Sequence, residues 1–147
     1  MRKDSGFTLV ELMIVIAIIV ILAAFLAPNV IGWMPQYRLK NAVMEMGSNI
    51  QQARLAAIKE NRNCTMSFNT GNRSYHISCL ENMTVDLDDY GSNIAFTAVS
   101  APQVINFTSR GLTDGVGTFV VSMTRVGGGD TYSIRITPTG AVATEKL

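Results

Sequence analysis

Residues that build catalytic and metal centres are scarce in this chain. It has one histidine, His76, and two cysteines, Cys64 and Cys79, among 147 residues. A structural zinc takes about four ligands, which this set does not supply. A hydrolytic triad has little to form around one histidine placed mid-strand between Tyr75 and Ile77. Asp86, Asp88 and Asp89 in VDLDDYG lack the spaced ligands and closing Glu of an EF-hand, and read as a solvated acidic turn. The glycines of VGGGD lie between two strands instead of opening a helix, so they offer no phosphate cradle. No enzyme and no cofactor is therefore expected. Net charge is also nearly absent: 12 basic against 11 acidic residues leave +1. No overall field draws in nucleic acid or an anionic surface, and any polyanion binding would be local.

Charge is scarcest near the N-terminus. After MRKDSG comes FTLVELMIVIAIIVILAAFLAPNVIGWM, where Glu11 is the one ionisable side chain between Phe7 and Met34. The run is long enough for a membrane. On the insertion scale its Leu, Ile, Val and Phe residues, at roughly −0.3 to −0.6 kcal/mol each, outweigh one acid at about +3 kcal/mol near the end of the segment. Three simpler readings each fail on one point. A secretory signal places its cleavage site after the apolar region, whereas Ala23, Ala24 and Ala27 lead into more apolar chain and Pro28. A plain anchor gives no reason for an intramembrane carboxylate. A core helix of a small domain would not stay apolar on all faces for this length.

The stretch GFTLVELMIVIAIIVILAA resembles the signature of type IV pilins and type II pseudopilins: a short basic leader ending in glycine, then Phe, then Glu at the fifth position after the cut. The resemblance implies cleavage by a membrane-bound prepilin peptidase between Gly6 and Phe7, and N-methylation of Phe7. The apolar helix is then retained in the product. Glu11 is expected to meet the new amino group of Phe7, most simply that of a neighbouring subunit. Two opposite charges about 4 Å apart at an effective dielectric near 20 attract by about 4 kcal/mol before desolvation is subtracted, so the pair sets register more surely than stability.

Pro28 removes a helical hydrogen-bond donor, and Gly32 and Pro35 follow, so a kink or local unwinding is expected at Pro28 and Pro35. Pro28 matches a position where pilins commonly carry proline; Pro35 is an addition. Beyond Pro35, Leu39, Val43, Met46, Ile50, Ala53 and Ala57 recur at spacings of four and three, one face of an amphipathic helix ending near Asn61. A helix from Phe7 to Asn61 would span about 80 Å, twice a bilayer's thickness, so its second half must leave the membrane.

After Asn63 the pattern becomes short alternating strands. CTMSF, the turn NTGNR and SYHISC read as a β-hairpin. A turn centred near Gly71 pairs 68 with 75 and 66 with 77, and so sets Cys64 opposite Cys79, where a disulfide is feasible in an oxidising compartment. Further strands are expected at 93–99, 104–108, 117–125 and 131–137, with a last one after Thr139-Gly140 and a flexible VGGGDT loop between two of them. The fold class is α+β. A long N-terminal α-helix, its first half transmembrane, packs its second half on one sheet of a C-terminal antiparallel β domain, as in the pilin fold. The expected divisions are a cleaved leader 1–6, a transmembrane and filament-core helix 7–34, an amphipathic helix 35–62 and a periplasmic β domain 63–147.

RLKNAVMEMGSNIQQARLAAIKENRNCTMSF, INFTSRG, GTFVVSM and YSIRITPTGAVA are similar to successive segments of the H-type pseudopilin and FimT minor-pilin family (GspH/FimT). That resemblance implies a low-abundance subunit helping to start or cap a type IV pilus or a type II secretion pseudopilus. The implied partners are the prepilin peptidase, other pilin or pseudopilin subunits and the bacterial inner membrane, with a single pass and the β domain in the periplasm. Some FimT-type members take up DNA through a basic Gly-Arg-x-Arg motif. The corresponding stretch here reads Gly140, Ala141, Val142, Ala143, without either arginine, and Arg125, Arg135 and Lys146 are scattered in sequence, which argues against DNA. Two alternatives remain at this point: a DNA-binding minor pilin, and a membrane-tethered periplasmic binding module.

Overall fold

The structure, a computed structural model, describes residues 7–114 and 117–147; of residues 25–32 it describes the backbone and not the side chains. The chain forms two compact units, Met1–Met34 and Pro35–Leu147. Helix α1 is a single element, Leu9–Lys59. It runs through Pro28 and Pro35 without a break in helical assignment, so the local unwinding expected there does not occur. Each proline removes one N–H from the ladder, and the bonds on either side keep the turn wound.

Both ends of α1 carry recognisable stop and start chemistry. At the start, Thr8 Oγ1 accepts from the Glu11 amide (3.2 Å) and the Glu11 carboxylate accepts from the Thr8 amide (3.3 Å). This is a capping box, with Thr8 at the N-cap and Glu11 at the third helical position. At the end, Asn61 takes a left-handed φ of 50°. Around it the amide of Asn61 donates to Ile58 O and that of Arg62 to Ala57 O. That pattern is a Schellman closure, which explains a helix ending at Lys59, two residues before Asn61.

Within the second unit, the expected stripe is buried throughout: Leu39, Val43, Met46, Ile50, Ala53 and Ala57 are each at most 1% exposed, and Ala42 joins them. The β part is antiparallel, as expected, and is divided into two sheets. Strands β1 (Cys64–Asn69), β2 (Ser74–Ile77), β3 (Met83–Asp86) and β5 (Val104–Phe107) form one antiparallel sheet in the order β3-β2-β1-β5. Strands β4 (Ile94–Val99), β6 (Phe119–Arg125), β7 (Thr131–Ile136) and β8 (Val142–Lys146) form another, in the order β4-β6-β7-β8. The chain leaves the first sheet for β4 and returns to pair β5 with β1, Cys64 facing Phe107. Aromatic packing joins the two: Phe68 of the first sheet stacks on Phe119 of the second (centroids 5.6 Å) and meets Phe96 edge-on (6.0 Å). Helix stripe and both inner sheet faces share one core.

The β1–β2 hairpin has the register read from sequence, Met66 opposite Ile77 and Phe68 opposite Tyr75. Cys64 and Cys79 are joined as a disulfide with Cα atoms 5.3 Å apart. It lies under the end of α1, where Cys79 Sγ is 3.7 Å from the carbonyl oxygen of Ala53.

Candidate functional site

The first unit presents a helix with apolar side chains on every face and none of them hidden. From Phe7 to Leu22 every large hydrophobic residue is at least 44% exposed, Phe7 reaching 82% and Leu9 74%. An isolated helix with apolar side chains on every face is not stable in water; it needs lipid or other helices around it. Among the residues whose side chains are described, no helix is long and apolar enough to cross a membrane. The described run from Leu9 to Ala24 makes about 24 Å of helix, against a hydrocarbon core of roughly 30 Å. Gly6, the expected cleavage residue, and the rest of the expected leader lie outside the described residues, as does the side chain of Pro28.

Glu11 is the one charged group described in this run. Its carboxylate also accepts from the Thr8 hydroxyl at 3.3 Å. It therefore faces the N-terminal end of its own helix, on the side where Phe7 stands. Sequence reasoning assigned Glu11 to pairing between subunits and missed its capping role. The Thr-x-x-Glu spacing ahead of an apolar run is the signal that could have shown it.

Polar groups inside the second unit serve the fold. Asn49, 4% exposed on the helix, donates to the Tyr75 hydroxyl at 2.8 Å. Burial pushes the Tyr75 phenol up to about 12, against the hydrogen bond from Asn49, with nearby Glu45 adding to the rise. Arg54 reaches two turns at once: Nε donates to Gly111 O (2.9 Å) and Nη2 to Thr139 O (3.1 Å). Gly140, at φ +75°, closes that junction; a Cβ there would fall onto Gly111 O and 2.6 Å from Arg54 Nε. A left-handed non-glycine residue costs about 1–2 kcal/mol before any clash. Gly140→Ala is accordingly expected to lose roughly 2–3 kcal/mol of stability in urea unfolding of the full chain in detergent. An unchanged midpoint would mean that the Arg54 junction yields freely.

The other sequence candidates are tied up locally. His76, partly buried, stands in β2 between Ser67 and Thr84 of its neighbours. Asp86 caps the one-turn 3-10 helix Leu87–Asp89 by accepting from the Asp88 amide. Asp88 pairs with Arg73 at 2.7 Å. Among the described residues no group of three His, Cys, Asp or Glu side chains is placed to hold a metal. Arg125, Arg135 and Lys146 fall on three neighbouring strands, closer together than their sequence spacing suggests. Each has a local partner: Arg125 donates to Gly128 O, Arg135 pairs with Glu145 (3.2 Å) and Lys146 with Asp130 (2.7 Å).

Residues 1–27 match the prokaryotic N-terminal methylation motif, and residues 42–140 match the type II transport protein GspH family. Over 86 residues the chain is 36% identical to a fimbrial protein of Pseudomonas aeruginosa, an overlap of 58% of this chain and 55% of that protein. The chain thus spans little more than half the length of that relative. A stretch of 32 residues is 56% identical to type II secretion system core protein G of Vibrio cholerae, covering 22% of each. The fold superposes on the crystal structure of the type IV minor pilin FimU of Pseudomonas aeruginosa with a TM-score of 0.63 at 16% identity, over 75% of this chain and 90% of that one. On the minor pseudopilin EpsH from the type 2 secretion system of Vibrio cholerae the TM-score is 0.59 at 12% identity, over 74% and 96%.

Proposed function

This chain belongs to the GspH family of type II transport proteins, and from that premise we propose that it is a minor pilin or pseudopilin, a structural assembly subunit and not an enzyme. One observation carries the reading. The first unit's helix exposes apolar side chains all around, with a single described carboxylate held at its start. Such a helix suits two successive environments, a bilayer and a bundle of similar helices. In the first the chain waits as a single-pass protein of the bacterial inner membrane, its β domain in the periplasm. In the second it joins a type IV pilus or a type II secretion pseudopilus.

A prepilin peptidase cuts between Gly6 and Phe7 and methylates Phe7. Cleavage creates a cationic amine on Phe7, two residues before α1 begins at Leu9, within reach of the Glu11 of an adjacent helix. The pairing fixes how far one subunit slides along the next, since any other offset leaves a charge in apolar surroundings. Polar groups of the β domain are committed to its own turns and core, which fits a subunit whose domain is a packing element.

Replacing residues 7–34 by an unrelated transmembrane helix separates this function from that of a tethered binding module. An assembly subunit keeps its domain folded on the membrane but disappears from the sheared filament or pseudopilus fraction. Full activity of the swapped chain would show that the helix serves only as an anchor.

A further inference from the structure

The Arg54 side chain is held in place by its own chain. Nε donates to Gly111 O and Nη2 to Thr139 O, 2.9 and 3.1 Å away. Two left-handed glycines make room for it: a Cβ on Gly111 (φ +74°) would come within 3.2 Å of Nε, and one on Gly140 (φ +75°) within 2.6 Å. Both carbonyls accept hydrogen bonds, yet neither carries a formal charge. Among the described residues Arg54 is paired with no carboxylate, whereas Arg62, Arg73, Arg135 and Lys146 each have one. Its Nη1 has no acceptor among them either.

This half-buried charge lines a hollow of about 240 Å³ together with Gln51, Leu55, Gly140 and Val142. Leu55 is 63% exposed and Val142 half-buried, so the walls beside the guanidinium are apolar and reachable. A carboxylate on a methylene stem matches both parts, its oxygens meeting the guanidinium and its CH₂ groups meeting Leu55 and Val142. Phosphate matches less well. A nucleic-acid backbone needs several clustered cations, and Arg135 and Lys146 of the same sheet are neutralised by Glu145 and Asp130.

We infer that this hollow is a docking point for an acidic side chain, glutamate by its length, on a neighbouring subunit of the filament. The inference rests on the assembly reading. It adds a contact on the folded domain to the one proposed at Glu11. Exposed ion pairs are usually weak because two long side chains must be ordered together. Here the arginine is already ordered, and only the incoming side chain loses its freedom. The contact also selects among neighbours, since a subunit presenting a lysine at that place is repelled.

Gln51→Glu tests the docking point from inside the chain. The change is isosteric and supplies a carboxylate of the same chain to Arg54 at i, i+3 on the helix. In detergent the full-length variant is expected to keep or raise its thermal midpoint, and in cells to fall about tenfold in the sheared filament fraction, as a lost contact of ordinary size would give. Gln52→Glu adds the same charge to the same helix outside the hollow and is expected to incorporate as the wild type does.

Normal incorporation of Q51E, an equal loss in Q52E, or a lowered midpoint of Q51E overturns the docking point and leaves the assembly reading standing. Binding of a fluorescent DNA duplex by the wild-type chain, abolished in Q51E, would assign the hollow to phosphate and overturn the carboxylate. A wild-type chain absent from the filament fraction overturns both readings.

Discussion

Glu11→Gln is expected to insert in the membrane and be processed normally, yet to fall about tenfold or more in the filament fraction. Gln at the third helical position still completes a capping box, so the start of α1 keeps its bonds with Thr8. What the substitution removes is charge. A carboxylate facing an amine about 4 Å away at an effective dielectric near 20 gains about 4 kcal/mol, and desolvation returns part of it. A net 1.4 kcal/mol already amounts to tenfold in an equilibrium. Glu11→Ala removes the cap and the charge together, and is expected to add about 1 kcal/mol of local fraying to the same assembly defect. The two variants separate the cap seen at this residue from the proposed pairing between subunits. Equal, low incorporation of both assigns assembly to the charge; wild-type incorporation of Glu11→Gln would leave Glu11 as a helix cap and nothing more.

Reduction of the Cys64–Cys79 disulfide is expected to cost about 3 kcal/mol, the loop-closure value for a sequence separation of 15. For a unit of this size that corresponds to roughly 10–20 °C in the unfolding midpoint. Both cysteines are buried, at 0% and 4% exposure, beneath the end of α1. The bond fastens the strand that follows the helix to the segment after β2. Full chain in detergent, unfolded thermally with and without reductant, gives the comparison; a thiol count confirms that the bond has opened. Coincident midpoints would mean that the hydrophobic core alone holds this junction.

The helix stripe and the hairpin register could be read before any coordinates because both are local. Leu39 to Ala57 repeat at the helical period, and a turn near Gly71 leaves one sensible pairing for β1 and β2. The division into two sheets was not legible, because strand patterns say which face is buried and not which strand lies next door. Nothing in VINF reveals that β5 returns to β1 past β4. Strand β3 escaped for another reason: among MTVD only Val85 is buried. Four residues with Met83 and Val85 inward are too short a run for their alternation to stand out, and the acidic residues after it read as a turn.

At the candidate site the assignments came from the motif, and the chemistry they missed was nearest to it. The apolar run drew attention to the cost of an acid at Glu11, which obscured how ordinary a Glu is three residues after Thr8. Arg54 was unremarkable as a surface charge of the stripe's polar side. Its role appears only once folding brings Gly111 and Thr139, far apart in sequence, within reach of one guanidinium. At the prolines a kink or unwinding was expected, and of the two the unwinding does not occur, the backbone staying helical through both.

The central claim is that this chain is processed and kept as a filament subunit with its helix intact. The most direct test is the mass of the N-terminal peptide of the full-length chain made in bacterial membranes with and without a prepilin peptidase. A peptide beginning at methylated Phe7, present only with the peptidase, is the predicted result. An intact Met1 in the presence of the enzyme, or a cut beyond Ala27 that discards the helix, would contradict it.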